Sequence, residues 1–548
     1  MKIFRLLLSS ILLLVSDLHG QQRVKLVVVI SIDQFPYEYL PKYRSYFTEG
    51  GLNYLLNNGA NFVNCLYRHA STLTAPGYAV IMSGTYGNVN GIVGNSWIDR
   101  STNSHTYCVE DRSTKLVGTR SNTGRSPKNL VGATFGDQLK LHTNFQSKVI
   151  SISNKDRAAI LMAGKLADAA YWTMDSLFVT SSYYQEDLPD WVKSFNKSGR
   201  FRSYFGKQWD LLLPRSEYEK FGIDAAIGES DYYGRGKLFP HTVDGGNSEE
   251  ITRAYSDALL TSPYSAEILV DFSQEAIEQE RLGQRGVTDL LCVALSSPDF
   301  VGHAFGPDSW EVMDLTVRLD RLLRKFFSFV DSVIGLKNCI IVITSDHGIA
   351  PIPELLMQSD PNMDAGRIPI DQVLAPALHS LDRRYGLLAS AKVWIQAVEG
   401  GNIYFDPKAL AAKGIDRGTA AKVVKEAIVK LPFVASAFTA AELTANQVRG
   451  ELADACRYSF YASRCGAVYV VLKPYYFFGD PQDPTGTTHG SPYSYDAHVP
   501  LLLAGPGIRP GTYFDRVSPA DIAPTIAALL GVEMSPLTQG RILNVALR

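Results

Sequence analysis

The sequence predicts an α/β fold in which helices sandwich a mostly parallel central sheet, with cap regions inserted into this framework. Five short runs are almost continuously apolar, as in strands that are buried on both faces. These runs are KLVVVISI (25–32), KVISIS (148–153), DLLCVAL (289–295), CIIVITS (339–345) and PLLLAG (500–505). Helical patterns separate them, for example at 310–334, where apolar residues recur mostly at spacings of three and four. Such alternation is typical of parallel sheets with helices on both faces.

Two regions depart from this alternation, and we expect them to be insertions or a cap. Residues 180–245 are rich in Tyr, Trp, Gly and Pro, whereas residues 355–485 place an Ala/Lys-rich helix between strand-like pieces. Neither region has the pattern of an independent domain. We therefore expect residues 21–548 to form one domain.

The first twenty residues, MKIFRLLLSSILLLVSDLHG, have the pattern of a secretory signal peptide. Lys2 and Arg5 precede a short apolar segment, and the small residue Gly20 offers a cleavage point. No cysteine follows that segment directly, and no other stretch is long and apolar enough to cross a bilayer, so we expect no membrane anchor. The chain is expected to be exported, to the periplasm of a Gram-negative bacterium or beyond it.

The overall composition excludes few classes of protein. The chain has 548 residues, of which 46% are hydrophobic and 20% charged, and its net charge is −2. These values are ordinary for a globular protein and give no sign of a nucleic-acid or membrane-surface binder.

Export would permit disulfides, but the six cysteines show no zinc-finger spacing. Cys292 and Cys339 lie within apolar strand-like runs and are expected to be buried free thiols. Cys456 and Cys465 could close a short loop.

Hydrophilic residues cluster where the apolar strands end. The members of this group are Asp33 after KLVVVISI, Asp299 and His303 in SSPDFVGH, Asp346 and His347 after CIIVITS, and His489 in TGTTHGSPYSYD. In open parallel sheets, ligands bind beyond the carboxyl ends of the strands. Mixed carboxylate and imidazole ligands suit Zn²⁺, and paired metals are common in phosphate-ester hydrolysis. The pattern therefore indicates a two-metal site.

Each signal is weak when taken alone. Asp299 and His303 share one face only if their segment is helical, and Asp346 and His347 share a metal only if the strand gives way to a turn at Gly348. His489 alone is better explained as a loop histidine. Thr74, in STLTAPG, is a candidate nucleophile or simply a helix N-cap.

The order of these residues resembles that of the alkaline phosphatase superfamily: Asp, nucleophile, Asp-x-x-x-His, Asp-His and a late His. The resemblance spans Asp33 to His489 and continues into YDAHVPLLLAGPGI. It implies two zinc ions per chain. One would be held by Asp33, Thr74, Asp346 and His347, and the other by Asp299, His303 and His489.

Within the superfamily, the chain most resembles the PafA-type alkaline phosphatases, which use a threonine nucleophile. Sulfatases need a Cys or Ser in a C/S-x-P-x-R pattern, which STLTAPG lacks. The resemblance implies that Asn95, in GIVGNSW, and Lys155 and Arg157, in SISNKDRAAI, bind the phosphate group. A monoester dianion carries an extra charged oxygen that such cations can satisfy.

We therefore expect a zinc-dependent phosphate monoester hydrolase that acts on small esters through a phosphothreonine at Thr74. A phosphodiesterase on the same scaffold and a metal-stabilised protein without turnover are the alternatives. The sequence does not specify the physiological ester or the oligomeric state, although a monomer is slightly favoured.

Overall fold

A large sheet runs through the centre of the computed structural model, which describes residues 24–121, 123–388 and 393–548. Within this described part, the sheet has ten strands. In spatial order they are Gly511–Tyr513, Ala60–Phe62, Leu501–Ala504, Cys339–Thr344, Leu26–Ile32, Asp289–Leu295, Val149–Ser153, Ala169–Met174, Leu177–Ser181 and Leu116–Val117. The five strands from Cys339–Thr344 to Ala169–Met174 are parallel. The mostly parallel central sheet is therefore confirmed. The proposed signal peptide, residues 1–20, lies outside the described residues.

The central strand Leu26–Ile32 shows why its sequence is continuously apolar. Its odd-numbered residues Val27 and Val29 pack into the core on one face of the sheet. Its even-numbered residues, such as Val28 and Ile30, pack into the core on the other face. Both faces are buried, so apolar side chains occupy both sets of positions, with Ser31 as the one polar exception in this strand.

Helices cover each face, as the sequence predicts. Pro263–Gln279, Ser297–Phe305 and Trp310–Val333 pack on one face. The helices of the other face are Thr74–Ser83, Phe135–His142, Asp156–Ala163 and Ile522–Leu530.

One strand beside the parallel set runs in the opposite direction. Leu501–Ala504 is antiparallel to Cys339–Thr344, with Leu501 opposite Thr344. The start of this strand therefore lies at the same edge of the sheet as the carboxyl ends of its parallel neighbours. A loop that leads into Leu501–Ala504 can consequently reach residues that follow those neighbours.

The region 355–485 contains a second sheet with its own core. Its four antiparallel strands, in spatial order, are Ile395–Glu399, Asn402–Phe405, Val468–Leu472 and Val434–Thr439. The helices Asp371–Tyr385 and Arg417–Ile428 contribute apolar side chains to this core. We call this region the inserted subdomain.

The region 180–245 is built differently. It contains the helix Asp190–Lys197 and a short antiparallel pair, Lys207–Trp209 with His241–Val243. Its aromatic residues, including Trp209 and Tyr232, are buried in the same core as the helices on one face of the main sheet.

All six cysteines lie in the described part of the chain, and each is a buried free thiol. The expectation for Cys292 and Cys339 is confirmed, whereas Cys456 and Cys465 are not joined in this structure. None of the described helices combines the length and apolarity needed to span a bilayer.

Candidate active site

Carboxylates and imidazoles follow the carboxyl ends of three neighbouring strands and lie at one edge of the main sheet. Asp33 directly follows Leu26–Ile32, and Asp346 and His347 follow Cys339–Thr344 after one intervening residue. The third strand, Asp289–Leu295, leads into the helix that carries Asp299 and His303. Because these strands are adjacent and parallel, their carboxyl ends bring all five side chains together.

The sixth residue of the group, His489, arrives from the loop before the antiparallel strand Leu501–Ala504. Its Nε2 lies 3.6 Å from Oδ1 of Asp299. Asp299 and His303 occupy one face of the helix Ser297–Phe305, and Nε2 of His303 lies 3.3 Å from the same oxygen. Ligand-capable atoms of these three residues all lie within 4.8 Å of one another.

A second group forms around His347. Its Nε2 lies 3.3 Å from Oδ2 of Asp346 and 3.6 Å from Oδ1 of Asp33. Ligand-capable atoms of Asp33, Asp299 and His347 also lie within 4.8 Å of one another. Asp299 therefore lies between the two groups. Together, the two groups form what we call the ligand cluster: Asp33, Asp299, His303, Asp346, His347 and His489.

The hydrogen-bond geometry of the three histidines suits metal binding. Each directs Nδ1 at a backbone carbonyl oxygen: His303 at Thr487 (2.8 Å), His347 at Gly348 (2.9 Å) and His489 at Thr72 (2.8 Å). A carbonyl oxygen only accepts, so in a neutral ring the Nδ1–H donates and Nε2 keeps its lone pair. All three lone pairs are then directed at the carboxylates, as is typical of metal-binding histidines.

Two carboxylate oxygens of the cluster also suit a cation. Oδ1 of Asp33 and Oδ2 of Asp346 are buried and have no hydrogen-bond partner among the described residues. Burial raises the pKa of both carboxyls, and the proximity of the two raises that of Asp346 further. Unpaired buried carboxylate oxygens are costly unless a cation or a proton compensates them. The residues present therefore fit a pair of divalent metal ions.

Two of the imidazoles are held neutral. Burial, together with the neighbouring His303, lowers the pKa of His489 to about 3. Burial and the nearby ring of His489 lower the pKa of His347 well below its usual value. His303 differs, because Asp299 raises its pKa despite burial. The neutral ring is the form that coordinates metals.

Thr74 is the first residue of the helix Thr74–Ser83 and does not cap it. The preceding residue, Leu73, occupies the N-cap position, and no side-chain capping bond is present there in the described structure. Interpreting Thr74 as an N-cap is therefore wrong. Its Oγ1 instead lies 3.4 Å from Nε2 of His347 and 3.5 Å from a guanidinium nitrogen of Arg157.

Close backbone packing brings this helix to the ligand cluster. At Gly77, one turn beyond Thr74, an added Cβ would lie 2.2 Å from the carbonyl oxygen of Asp346. Only glycine permits this approach. Gly348 has a similar role, because its Cβ would lie 2.1 Å from the carbonyl oxygen of Tyr495. The strand ends at Thr344, before Asp346 and His347, and close packing is an additional reason for glycine at position 348.

The three residues expected to bind phosphate lie in two different environments. Oδ1 of Asn95 accepts a hydrogen bond from the backbone N–H of Ala75 (2.9 Å), which places the Asn95 amide beside Thr74. Arg157 reaches Thr74 from the first turn of the helix Asp156–Ala163. These two residues therefore flank the Thr74 hydroxyl.

Lys155 lies instead among the carboxylates. Its Nζ is 2.7 Å from Oδ2 of Asp33 and 2.5 Å from Oδ2 of Asp299. Burial alone would lower the pKa of Lys155, but the two carboxylates outweigh it and raise the pKa. Burial would raise the pKa of Asp299. The positive charges of Lys155 and His303 outweigh this effect and hold the pKa of Asp299 well below its usual value.

Gln34 is a residue of the site that the sequence analysis missed. Its backbone N–H donates to Oδ1 of Asp346 (3.2 Å), and its Nε2 donates to Oδ1 of Asp299 (3.0 Å). It adopts a left-handed φ of 57°, which is uncommon for a residue with a side chain. At Gly302, a Cβ would lie 2.0 Å from Oε1 of Gln34, so this glycine makes room for it. No periodicity or spacing in the sequence indicates this role.

Asp496 was also missed, and it holds the loop that carries His489. Its Oδ2 accepts bonds from the backbone N–H groups of Gly490 (3.0 Å) and Ser491 (2.8 Å). Two other nearby histidines do not join the cluster: His69 stacks on Tyr67, and Nε2 of His498 lies 2.9 Å from the carbonyl oxygen of Val63.

The chain is similar to several known proteins. The model of the Type I phosphodiesterase/nucleotide pyrophosphatase family matches residues 27–492. Alkaline phosphatase PhoV of Synechococcus elongatus is 35% identical over 531 residues, covering 96% of this chain and 93% of the relative. Alkaline phosphatase PafA of Elizabethkingia meningoseptica is 33% identical over 533 residues, covering 95% of each chain. The crystal structure of wild-type PafA superimposes with a TM-score of 0.89 at 32% identity, covering 96% of this chain and 99% of that one.

Proposed function

The chain belongs to the Type I phosphodiesterase/nucleotide pyrophosphatase family and is an alkaline phosphatase, and we propose that it hydrolyses phosphate monoesters with two zinc ions and a covalent phosphothreonine. The placement of Thr74 carries this proposal. Its hydroxyl is free of any capping role, buried, and within 3.5 Å of both His347 and Arg157. A nucleophile in such a position faces both the ligand cluster and a phosphate-binding cation.

We assign one zinc to Asp33, Thr74, Asp346 and His347, and the other to Asp299, His303 and His489. The three Nε2 lone pairs and the unpaired oxygens of Asp33 and Asp346 support this assignment. Zinc bound there would supply Lewis-acid charge that lowers the pKa of the Thr74 hydroxyl and stabilises the oxygen of the leaving alcohol.

The residues of the chain carry out the rest of the reaction. Thr74 loses its hydroxyl proton and forms a bond to phosphorus, while the bond from phosphorus to the ester oxygen breaks. The alcohol leaves and takes up a proton. A water molecule then attacks the phosphothreonine, inorganic phosphate is released, and Thr74 regains its proton. During both steps, Asn95, the Thr74 backbone N–H and Arg157 donate to the non-bridging oxygens as their charge shifts.

We attribute the preference for monoesters to Arg157 and Lys155. A monoester dianion carries more charge on its non-transferred oxygens than a diester, so it gains more from two adjacent cations. Arg157 lies beside Thr74, and Lys155 carries its positive charge against Asp33 and Asp299 in the adjoining ligand cluster.

The family description also includes phosphodiesterases, which makes diester hydrolysis the second candidate. The deciding experiment compares kcat/KM for an aryl phosphate and its methyl ester, with metal content measured on the same sample. We expect a strong preference for the monoester and about two zinc ions per chain. A preference for the methyl ester, which is a diester, would contradict the monoesterase proposal and favour the phosphodiesterase alternative. A metal content of one or none in active enzyme would contradict the two-zinc assignment.

The remaining parts of the proposal concern the whole chain. We propose that residues 1–20 direct export to the periplasm or the medium, that 21–548 form one catalytic domain with insertions at 180–245 and 355–485, and that the substrates are small phosphate esters. Mass spectrometry of the N-terminus of the mature protein tests the first point. A mature chain that begins at Met1 would contradict it.

A further inference from the structure

A cavity of about 210 Å³ lies next to the ligand cluster, between the inserted subdomain and the loop that carries His489. One wall comes from the inserted subdomain: the strand Val468–Leu472, the short strand Tyr476–Phe478 and the turn at Gly400. The other wall comes from the loop 488–496. We call this cavity the ester pocket.

The ester pocket adjoins the candidate active site. Its lining includes His489, a member of the ligand cluster, and Leu73, which directly precedes Thr74. The side chain of Leu73 lies between the two walls, because a Cβ added at Gly490 would lie 3.1 Å from its Cδ2 and one at Gly400 would lie 3.5 Å from its Cδ1. The same segment of chain therefore positions the nucleophile and closes the pocket.

The chemistry of the lining suits an uncharged organic group. Five of its residues are aromatic rings contributed by Tyr or Phe: Tyr469, Tyr476, Phe477, Phe478 and Tyr495. None of the described residues that line the pocket is a lysine or an arginine, so the pocket is unsuited to a second phosphate. Its carboxyl group, Asp496, already accepts a bond from the hydroxyl of Ser491 (2.6 Å).

The size of the pocket limits what it can hold. An apolar cavity of about 150 Å³ in another protein binds benzene. The ester pocket, at about 210 Å³, therefore has room for one substituted ring. Aromatic walls favour a flat ring, through stacking and edge contacts that add to simple apolar burial.

We propose that the ester pocket binds the alcohol part of the substrate and that the enzyme favours phosphate monoesters whose alcohol carries an aromatic ring. This inference rests on the proposed monoesterase activity. The phosphate group binds at Thr74, Asn95 and Arg157, and the ring extends past Leu73 and His489 into the pocket. The inserted subdomain thus determines which esters are preferred and takes no part in the bond changes.

The test compares benzyl phosphate with ethyl phosphate. Both release alcohols of similar basicity, so a difference between them reports contacts with the ring and not leaving-group chemistry. We expect kcat/KM of the unmodified protein to favour benzyl phosphate by roughly ten- to a hundredfold, from the apolar area that a ring buries. Benzylphosphonate should likewise inhibit more strongly than ethylphosphonate, which gives a binding measurement independent of turnover.

Two substitutions locate the effect. Phe478→Ala removes an aromatic wall, and Leu472→Trp fills the space. Both should bring the benzyl-to-ethyl ratio close to one while ethyl phosphate hydrolysis stays within about threefold of the unmodified protein, because neither residue touches the phosphate site. Phe514→Ala, at an exposed phenylalanine outside the pocket, is the matched control and should leave the ratio unchanged.

The outcomes separate the two proposals. Equal hydrolysis of both esters by the unmodified protein would leave the monoesterase function intact and overturn the ester pocket, as would a preference that survives both substitutions. Failure to hydrolyse either ester would instead contradict the proposed function. If a variant does not fold, the ester ratio and the phosphonate inhibition of the unmodified protein still decide the matter.

Discussion

The candidate active site has two halves, the ligand cluster and the group of Thr74, Asn95 and Arg157, and different structural elements position them. In the ligand cluster, Asp33, Asp346 and His347 follow strands of the main sheet, and oxygens of Asp33 and Asp346 lack hydrogen-bond partners among the described residues. Backbone carbonyls hold its imidazoles, and Gln34 bonds Asp299. In the proposed phosphate-facing half, Thr74 and Arg157 lie in the first turns of two helices, and Asn95 accepts a bond from the backbone of one of them. Helix starts favour anions, whereas the cluster concentrates negative charge. If the two groups bind cations and phosphate as proposed, these two tasks depend largely on separate structural elements, and we expect substitutions to affect them separately.

Removing the proposed nucleophile of the phosphate-facing half should cause the largest loss of turnover. Thr74→Ala should lose nearly all turnover, by roughly a thousandfold or more, because the proposed covalent intermediate forms on the Thr74 hydroxyl. Thr74→Ser keeps a hydroxyl and should retain substantial activity, which makes it the matched control. Steady-state rates on an aryl phosphate measure both variants.

The fold should survive this change, because Thr74 does not cap its helix. A near-normal rate for Thr74→Ala would contradict the covalent mechanism. Radiolabelled phosphate trapped on Thr74 at low pH would provide a direct check.

Removing one imidazole of the ligand cluster should reduce the amount of bound zinc. His303→Ala deletes one of three residues whose ligand-capable atoms lie within 4.8 Å of one another, so bound zinc should fall from about two ions per chain to about one. Turnover should fall with it, and chelation should lower the thermal midpoint of the unmodified protein more than that of the variant. Metal analysis and thermal scans measure these effects.

His498→Asn provides the histidine control. His498 is half-buried and contacts the carbonyl oxygen of Val63 instead of the cluster, so its loss should leave zinc content unchanged. If His303→Ala retained two ions, the assignment of His303 as a ligand would be wrong.

Lys155 and Arg157 test the comparison further, because they are two residues apart but contact different halves: Lys155 contacts the ligand cluster and Arg157 contacts Thr74. Arg157→Ala should slow monoester hydrolysis by roughly ten- to a hundredfold, the equivalent of losing about 1.5–3 kcal/mol in a charge-assisted contact, and slow diester hydrolysis less. Lys155→Ala should show the same selectivity. It should also lower the thermal stability of the metal-free protein, because Asp33 and Asp299 lose the cation between them.

The double variant should compress the monoester-to-diester ratio further, though not additively, because both cations serve one phosphoryl group. Equal losses on both substrate classes would show that the pair acts on a shared step. Rates on an aryl phosphate and its methyl ester decide between these outcomes.

The smallest expected effect concerns Gln34, which bonds both Asp346 and Asp299. Gln34→Ala and Gln34→Gly should each weaken zinc affinity by about ten- to a hundredfold, as is typical when a residue that orients metal ligands is lost. Glycine tolerates the left-handed φ of 57° at this position, so the Gly variant should be more stable than the Ala variant by about 1 kcal/mol. Zinc titration and denaturant unfolding separate the two effects, and unchanged zinc affinity in both variants would contradict the role of the side chain.

The sequence predicts the main sheet well because strands buried on both faces leave a continuous apolar signature. The five predicted runs all form strands, and the helix expected at 310–334 is found at Trp310–Val333. The direction of Leu501–Ala504 could not be predicted, because an antiparallel strand with two buried faces has the same apolar composition as a parallel one.

The residues of the site could be nominated from the sequence for a similar reason. Strand ends are easy to locate, and the structure brings all six cluster residues together with Thr74. Gln34 and Asp496 could not be found, because no periodicity or spacing in the sequence indicates the hydrogen bonds through which they act: Gln34 donates to Asp299, and Asp496 accepts from the backbone of Gly490 and Ser491. The position of Lys155 among the carboxylates was also not predictable, since a Lys-x-Arg pair does not reveal which cation faces the nucleophile.

The bond from His489 to the carbonyl oxygen of Thr72 joins residues 417 positions apart. The antiparallel strand Leu501–Ala504 must be in place for the loop before it to make this contact. A ribosome releases the chain from its N-terminus, so the group of Asp299, His303 and His489 is complete only when almost the whole polypeptide is available. A metal bound by this group would therefore enter late in the biogenesis of the protein, and would come from the surroundings in which the C-terminal segment folds.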